Sequence, residues 1–211
     1  MTNEPLISVA GLSKNFGSRD APVLNDLSFD VRVGGVTGLV GPDGAGKTTL
    51  LRLLAGLLQR SKGDVRVCGL DPQDSGAQLH THLSYMPQRF GLYEDLTVLE
   101  NLSLYADLRE IGSAHRRDRF DMLLAFTSLA PFTDRLAGAL SGGMKQKLGL
   151  ACSLIRKPKL LLLDEPSVGV DPISRRELWR MVQDLVDDGI GVIWSTAYLD
   201  EAELCDRVLV L

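Results

Sequence analysis

Cysteine is scarce in this chain. Cys68, Cys152 and Cys205 are odd in number, scattered and without paired spacing. That argues for a reducing compartment and against a disulfide framework or a thiolate zinc site. Long apolar runs are missing too: none approaches the ~20 residues needed to cross a bilayer. Any work at a membrane therefore needs another chain or domain to do the spanning. The start, Met1-Thr2-Asn3-Glu4-Pro5, is polar and lacks a signal-peptide core. Basic clusters are thin. Arg116-Arg117-Asp118-Arg119 is the densest, the net charge is −4 and the pI is about 5.4. A solvated helix face explains that cluster, so nucleic acid is not an expected partner. Repeats, linkers and low-complexity tracts are absent. What remains is 211 residues, 45% hydrophobic and 24% charged. That is the make-up of one globular domain, with or without an insertion.

The stretch that organises the chain is Gly41-Pro42-Asp43-Gly44-Ala45-Gly46-Lys47-Thr48-Thr49. It fits G-x-x-x-x-G-K-[ST], a loop whose backbone N–H groups converge on phosphate. Val36–Val40 before it reads as a buried strand. Thr49–Ala55 after it reads as the start of a helix running to about Leu58. The glycines let the backbone approach phosphate oxygens closely. Lys47 would reach the β- and γ-phosphates and the Thr48 hydroxyl would hold Mg²⁺. A bare glycine turn that happens to carry Lys-Thr is the alternative, and the flanking strand and helix argue against it.

Elsewhere strands and helices alternate. Ile7–Leu12 reads as an edge-type strand, followed by Leu24–Val33, Asp64–Gly69 and Leu83–Met86. Phe16 is either a core plug or a flat platform for a base. From 89 to 155 the pattern turns helical. Thr97 and Glu100 form a capping box, and Leu99, Leu102, Tyr105 and Leu108 give that helix its apolar face. His115–Phe126 is a second helix, with Arg116, Arg117 and Arg119 on the wet side. A third opens at Ser141 and carries Leu148, Leu150, Ala151, Leu154 and Ile155. The sheet pattern then returns with Leu160–Leu163, Val192–Trp194 and Val208–Leu211, separated by helices at Ile173–Asp187 and Leu199–Glu203. The whole predicts an α/β fold: a P-loop NTPase core with a mostly parallel sheet, an antiparallel β edge subdomain and an inserted helical subdomain. The expected division is 1–88 with 156–211 as core and 89–155 as the insertion.

Asp164 and Glu165 follow four leucines at the carboxyl end of a central strand, where ligands of parallel sheets bind. Asp164 would order Mg²⁺ through its water shell, and Glu165 would polarise the attacking water. An acidic helix cap is the plainer reading of the pair. Gln88, at a strand end, can reach a metal or a water. Ser141-Gly142-Gly143, opening a helix, makes a second anion site from N–H groups and the helix dipole, or else a plain N-cap at Ser141. Two such helix starts in one chain suggest a phosphate sandwiched between two copies.

Gly41–Thr48, Gln88, Leu140–Gln146, Leu160–Glu165, Val168–Asp171 and Ser195–Ala197 resemble, in order, the motifs of the ABC transporter ATPase family. Tyr85–Thr97 and Asp171–Trp179 look like the drug-exporter branch that partners ABC-2-type membrane subunits, and the likeness extends to the first ATPase domain of tandem exporter subunits. The resemblance implies a head-to-tail pair with a second ABC ATPase domain. ATP and Mg²⁺ would lie between the phosphate loop of one and Ser141, Gly142, Gly143 and Gln146 of the other. Phe16 would stack on adenine, Asp171 would lie at the dimer seam, and Gln88 would relay the state of the site to the membrane subunit. Phe90, Leu92 and Tyr93 would be either subdomain core or the docking groove for that subunit. The implied activity is ATP hydrolysis driving export, on the inner face of the cell membrane.

Two departures qualify this. Where the family has a histidine contacting the γ-phosphate, this chain has Ala197, which cannot donate a hydrogen bond. That predicts a degenerate half-site, slow or silent, within an asymmetric pair. The chain also stops at Leu211, where family members add sheet and helix, so a longer polypeptide is expected. A soluble ABC ATPase acting on ribosomes or DNA is a further alternative, but no basic arm is visible.

Overall fold

Hydrophobic alternation and buried runs translate into elements much as their periods demand. The computed structural model describes residues 5–17, 21–89 and 91–211, with the backbone alone at His115. In chain order it holds β1 (Ile7–Lys14), β2 (Leu24–Val31), β3 (Val36–Val40), α1 (Lys47–Leu54) and β4 (Lys62–Val67). Next come α2 (Gly76–Leu79), β5 (Leu83–Met86), α3 (Val98–Leu108), α4 (Ser113–Phe126) and α5 (Gly142–Ser153). The last are β6 (Leu160–Asp164), α6 (Pro172–Asp187), β7 (Gly191–Thr196), α7 (Leu199–Ala202) and β8 (Arg207–Val210).

The chain divides into two compact units. The first comprises 1–85, 158–165 and 185–211. It contains a three-stranded sheet ordered β2-β1-β4 and a five-stranded sheet ordered β5-β6-β7-β3-β8. β1 pairs antiparallel with both neighbours, while β3 with β7, β3 with β8 and β6 with β7 are parallel. β1 is thus the central strand of its sheet and not the edge expected from its pattern. Alternation reports that one face is buried, here Ile7, Val9 and Leu12; it carries no information on how many neighbours the backbone has. One core joins these residues to Leu50, Leu51, Leu53 and Leu54 of α1 and to Leu39, Leu160, Leu162 and Ile193 of the parallel sheet. Each such buried leucine contributes about 2 kcal/mol. α1 stops at Leu54, short of the predicted Leu58. The chain folds back there, with the Leu57 N–H donating to the Arg52 carbonyl at 2.8 Å.

The second unit, 86–157 with 166–184, is helical. The predicted capping box of α3 is present, with both Thr97 and Glu100 bonds made. Its apolar face is only partly the one predicted, with Leu102 buried and Tyr105 half-buried as expected. Val98, Asn101, Leu102 and Ala106 are buried, whereas Leu99 and Leu108 are exposed. Asn101 is the reason. Its side chain accepts from the Tyr93 N–H and donates to the carbonyls of Tyr93, Leu96 and Thr97, so it can be buried at no polar loss. Arg119 also departs from the wet face expected of it. Its guanidinium donates to the Leu154 and Ile155 carbonyls past the end of α5, and burial lowers its pKa from the ordinary value. In α5 itself Leu148, Leu150 and Ala151 are buried, as predicted, and so are Leu154 and Ile155 beyond it.

Candidate functional site

The phosphate loop leaves β3 and turns into α1 at Gly46, whose φ of 103° is a left-handed conformation natural to glycine. No side chain caps that helix start. Its first N–H groups are therefore available to an anion rather than to a neighbouring serine or aspartate. Lys47, only 4% exposed, donates to the carbonyls of Gly41 at 2.6 Å and Pro42 at 3.1 Å. It also pairs with Glu165 Oε1 at 3.1 Å. Glu165 itself sits at φ 48°, a strained conformation for a non-glycine residue that turns its side chain off the line of β6.

Asp164 ends β6 and is 1% exposed. Its Oδ1 accepts from Thr48 Oγ1 and Ser195 Oγ, both at 3.0 Å, and its Oδ2 from the Tyr85 hydroxyl at 2.9 Å. The Ser195 oxygen in turn accepts the Glu165 N–H at 2.9 Å. Thr48 and Asp164 thus offer hard oxygen donors side by side, the chemistry that Mg²⁺ requires. Among the described residues no group of three or more His, Cys, Asp or Glu could hold a metal on its own.

Phe16, Gly44, Gly46, Lys47, Thr48, Thr49 and Glu165 line one cleft of about 530 Å³, together with Val23. Phe16 is 38% exposed there, with Lys14 Nζ 4.7 Å from its ring centroid, so it is a surface ring and not a core plug. Gly41, Pro42, Asp43 and Ala45 complete the loop. Val23, Tyr85 and Ser195 are the residues sequence reasoning missed. Tyr85 and Ser195 were visible inside motif stretches, but their roles depend on strand neighbours far away in the chain.

The other predicted site residues belong to the helical unit and form a cluster of their own. Ser141 caps α5, accepting the Met144 N–H at 3.3 Å. A side chain at Gly143 would run into Ser174, so that helix start is closely packed. Asp171 caps α6, accepting the N–H groups of Ile173 and Ser174 at 3.0 Å each. The bonds from Ser174 come first in holding its carboxyl below the usual carboxylate range. Gln146 is buried, and its Oε1 has no hydrogen-bond partner among the described residues. Gln88 is exposed past the end of β5. Tyr93 is exposed and Leu92 half-buried, while Phe90 lies outside the described residues.

A family model described as ABC transporter matches residues 24–168. The chain belongs to the ABC transporter family. It is an ATP-binding domain of that family, as its motifs imply. It is 60% identical, over 99% of its length, to the probable multidrug ABC transporter ATP-binding protein YbhF of Escherichia coli (strain K12), of which it covers 36%. It is 39% identical, over 97% of its length, to the daunorubicin resistance ATP-binding protein DrrA3 of Streptomyces coeruleorubidus, covering 65% of that protein. The chain thus spans about a third of one relative and about two thirds of the other. Among solved structures, cbiO1 from Clostridium perfringens, part of the ABC transporter complex cbiONQ, superposes with a TM-score of 0.88. That match is 26% identical and covers 99% of this chain and 85% of that one. These relatives lend no support to the silent half-site expected from Ala197, which is exposed just beyond β7. No helix among the described residues is long and apolar enough to cross a membrane.

Proposed function

We propose that this domain binds ATP with Mg²⁺ on its phosphate loop, hydrolyses it with Glu165 as general base, and drives an ABC-2-type membrane subunit in drug or multidrug export. The observation that carries the reading is the meeting of Lys47, Thr48, Asp164 and Glu165 at one helix start. Bound Mg²⁺ would neutralise charge on the β- and γ-phosphates, held by the Thr48 hydroxyl and, through water, by Asp164. An arriving phosphate, more highly charged than the Glu165 carboxylate and unlike the neutral loop carbonyls an anion, draws Lys47 from Glu165. That frees the Glu165 carboxylate to orient and deprotonate the attacking water. The α1 N–H groups meet the phosphates, and Phe16 offers its ring to adenine. ATP bound in this way would be covered by Ser141, Gly142 and Gly143 of a second ABC ATPase domain, with Asp171 at the seam. The similarity to YbhF and DrrA3 supports the export reading and a position on the cytoplasmic face of the membrane.

The pairing is tested by sedimentation of Glu165→Gln, which should hold ATP unhydrolysed. We expect monomer without nucleotide and dimer with Mg²⁺·ATP. A sample that binds ATP yet stays monomeric would remove the sandwich from this account.

A further inference from the structure

Asp164 is a buried carboxylate held by three hydroxyls, and two of them come from the strands on either side of it. β6 lies between β5 and β7 in the sheet. Tyr85 of β5 donates to Oδ2 and Ser195 of β7 to Oδ1. Thr48 also donates to Oδ1, so the two oxygens are engaged from opposite sides. A phenol has a single proton to donate, and Tyr85 gives it to Oδ2.

We propose that Tyr85 is a positioning residue that fixes the Asp164 carboxylate for the hydrated Mg²⁺·nucleotide, with Ser195 as its counterpart on the other oxygen. An aspartate χ2 is soft and roughly two-fold, and two hydroxyls on different oxygens remove that freedom. Thr48 can then turn its hydroxyl from Asp164 to the cation while the carboxylate keeps its orientation. Ser195 extends the same order to Glu165, whose N–H it accepts at a left-handed φ. The inference rests on the Mg²⁺ reading of Thr48 and Asp164 given above.

The test is binding of AMP-PNP, followed by calorimetry while Mg²⁺ is titrated, in wild type, Tyr85→Phe, Ser195→Ala and Asp164→Asn. We expect Tyr85→Phe to raise the half-saturating Mg²⁺ concentration about tenfold, the usual scale for outer-sphere partners of a metal site. Nucleotide affinity should recover at high Mg²⁺. Ser195→Ala, which removes a hydroxyl from the other oxygen, should shift the midpoint the same way. A Tyr85→Phe protein that loses thermal stability but keeps the wild-type Mg²⁺ midpoint overturns the proposal. So does an unfolded Tyr85→Phe accompanied by a wild-type midpoint in Ser195→Ala. If Asp164→Asn shifts the midpoint and Tyr85→Phe does not, the positioning role alone falls. If Asp164→Asn shifts nothing, the metal reading itself falls.

Discussion

Asp164 and Glu165 are adjacent in sequence and differ in what holds them. Asp164 is tied by the hydroxyls of Thr48, Ser195 and Tyr85, while Glu165, turned by its φ of 48°, meets the mobile charge of Lys47. The first is suited to a fixed role and the second to one that changes when a phosphate arrives. Both were legible in sequence because four leucines mark the strand that delivers them. Tyr85 and Ser195 were not, since they lie 79 and 31 residues from the carboxylate they bind. A second residue-scale pair shows the same blindness. Arg60 grips Asp71 through two bonds of 2.8 Å each. That hydrogen bonding is the first cause holding the Asp71 carboxyl below its usual range. A depressed folded value means stability that is full above the unfolded pKa of about 4 and lost as pH falls through the folded one. Asp71→Asn should therefore cost about 1 kcal/mol at pH 7 by urea unfolding. Its gap to wild type should close below about pH 4. A gap independent of pH would assign Asp71 a packing role instead.

At the scale of elements, periodicity found nearly every strand and helix, and failed where a polar residue replaces a hydrophobic one in the core. α3 is the case in point. Counting leucines selects Leu99, Leu102 and Leu108, of which only Leu102 is buried; Asn101 satisfies its own polar atoms on the loop at 93–97 and lies inward beside Val98 and Ala106. Arg119 is hidden by the same means, through carbonyls beyond α5 that no helical pattern reveals. Asn101→Ala should destabilise the helical unit by about 2 kcal/mol, because it leaves buried backbone groups unpaired. Leu108→Ala, at 67% exposure, should move it by less than about 0.5 kcal/mol. Urea midpoints in the opposite order would restore the leucine face. β1 teaches a related limit. Its alternation identified a half-buried strand correctly, but strand order is a property of β2 and β4.

Across the molecule, the phosphate loop with Asp164 and Glu165 belongs to one compact unit and the Ser141 helix with Asp171 to the other. Each cluster is internally complete as structure, since Ser141 and Asp171 cap their own helices. The function argued here asks more of them than capping. On the proposed reading a nucleotide on the first cluster of one copy needs the second cluster of another, so activity should depend on association. The sequence alone points that way because glycine loops and acidic strand ends have few other uses in that order. The measurement that tests it most directly is steady-state ATP turnover with saturating Mg²⁺, across a range of protein concentrations, for wild type and Glu165→Gln. AMP-PNP binding on the same samples verifies folding. The account predicts a wild-type rate per molecule that rises with concentration, and a loss of about 100-fold or more in Glu165→Gln with binding intact. A wild type that binds nucleotide but turns none over at any concentration, or a Glu165→Gln variant as fast as wild type, would contradict it.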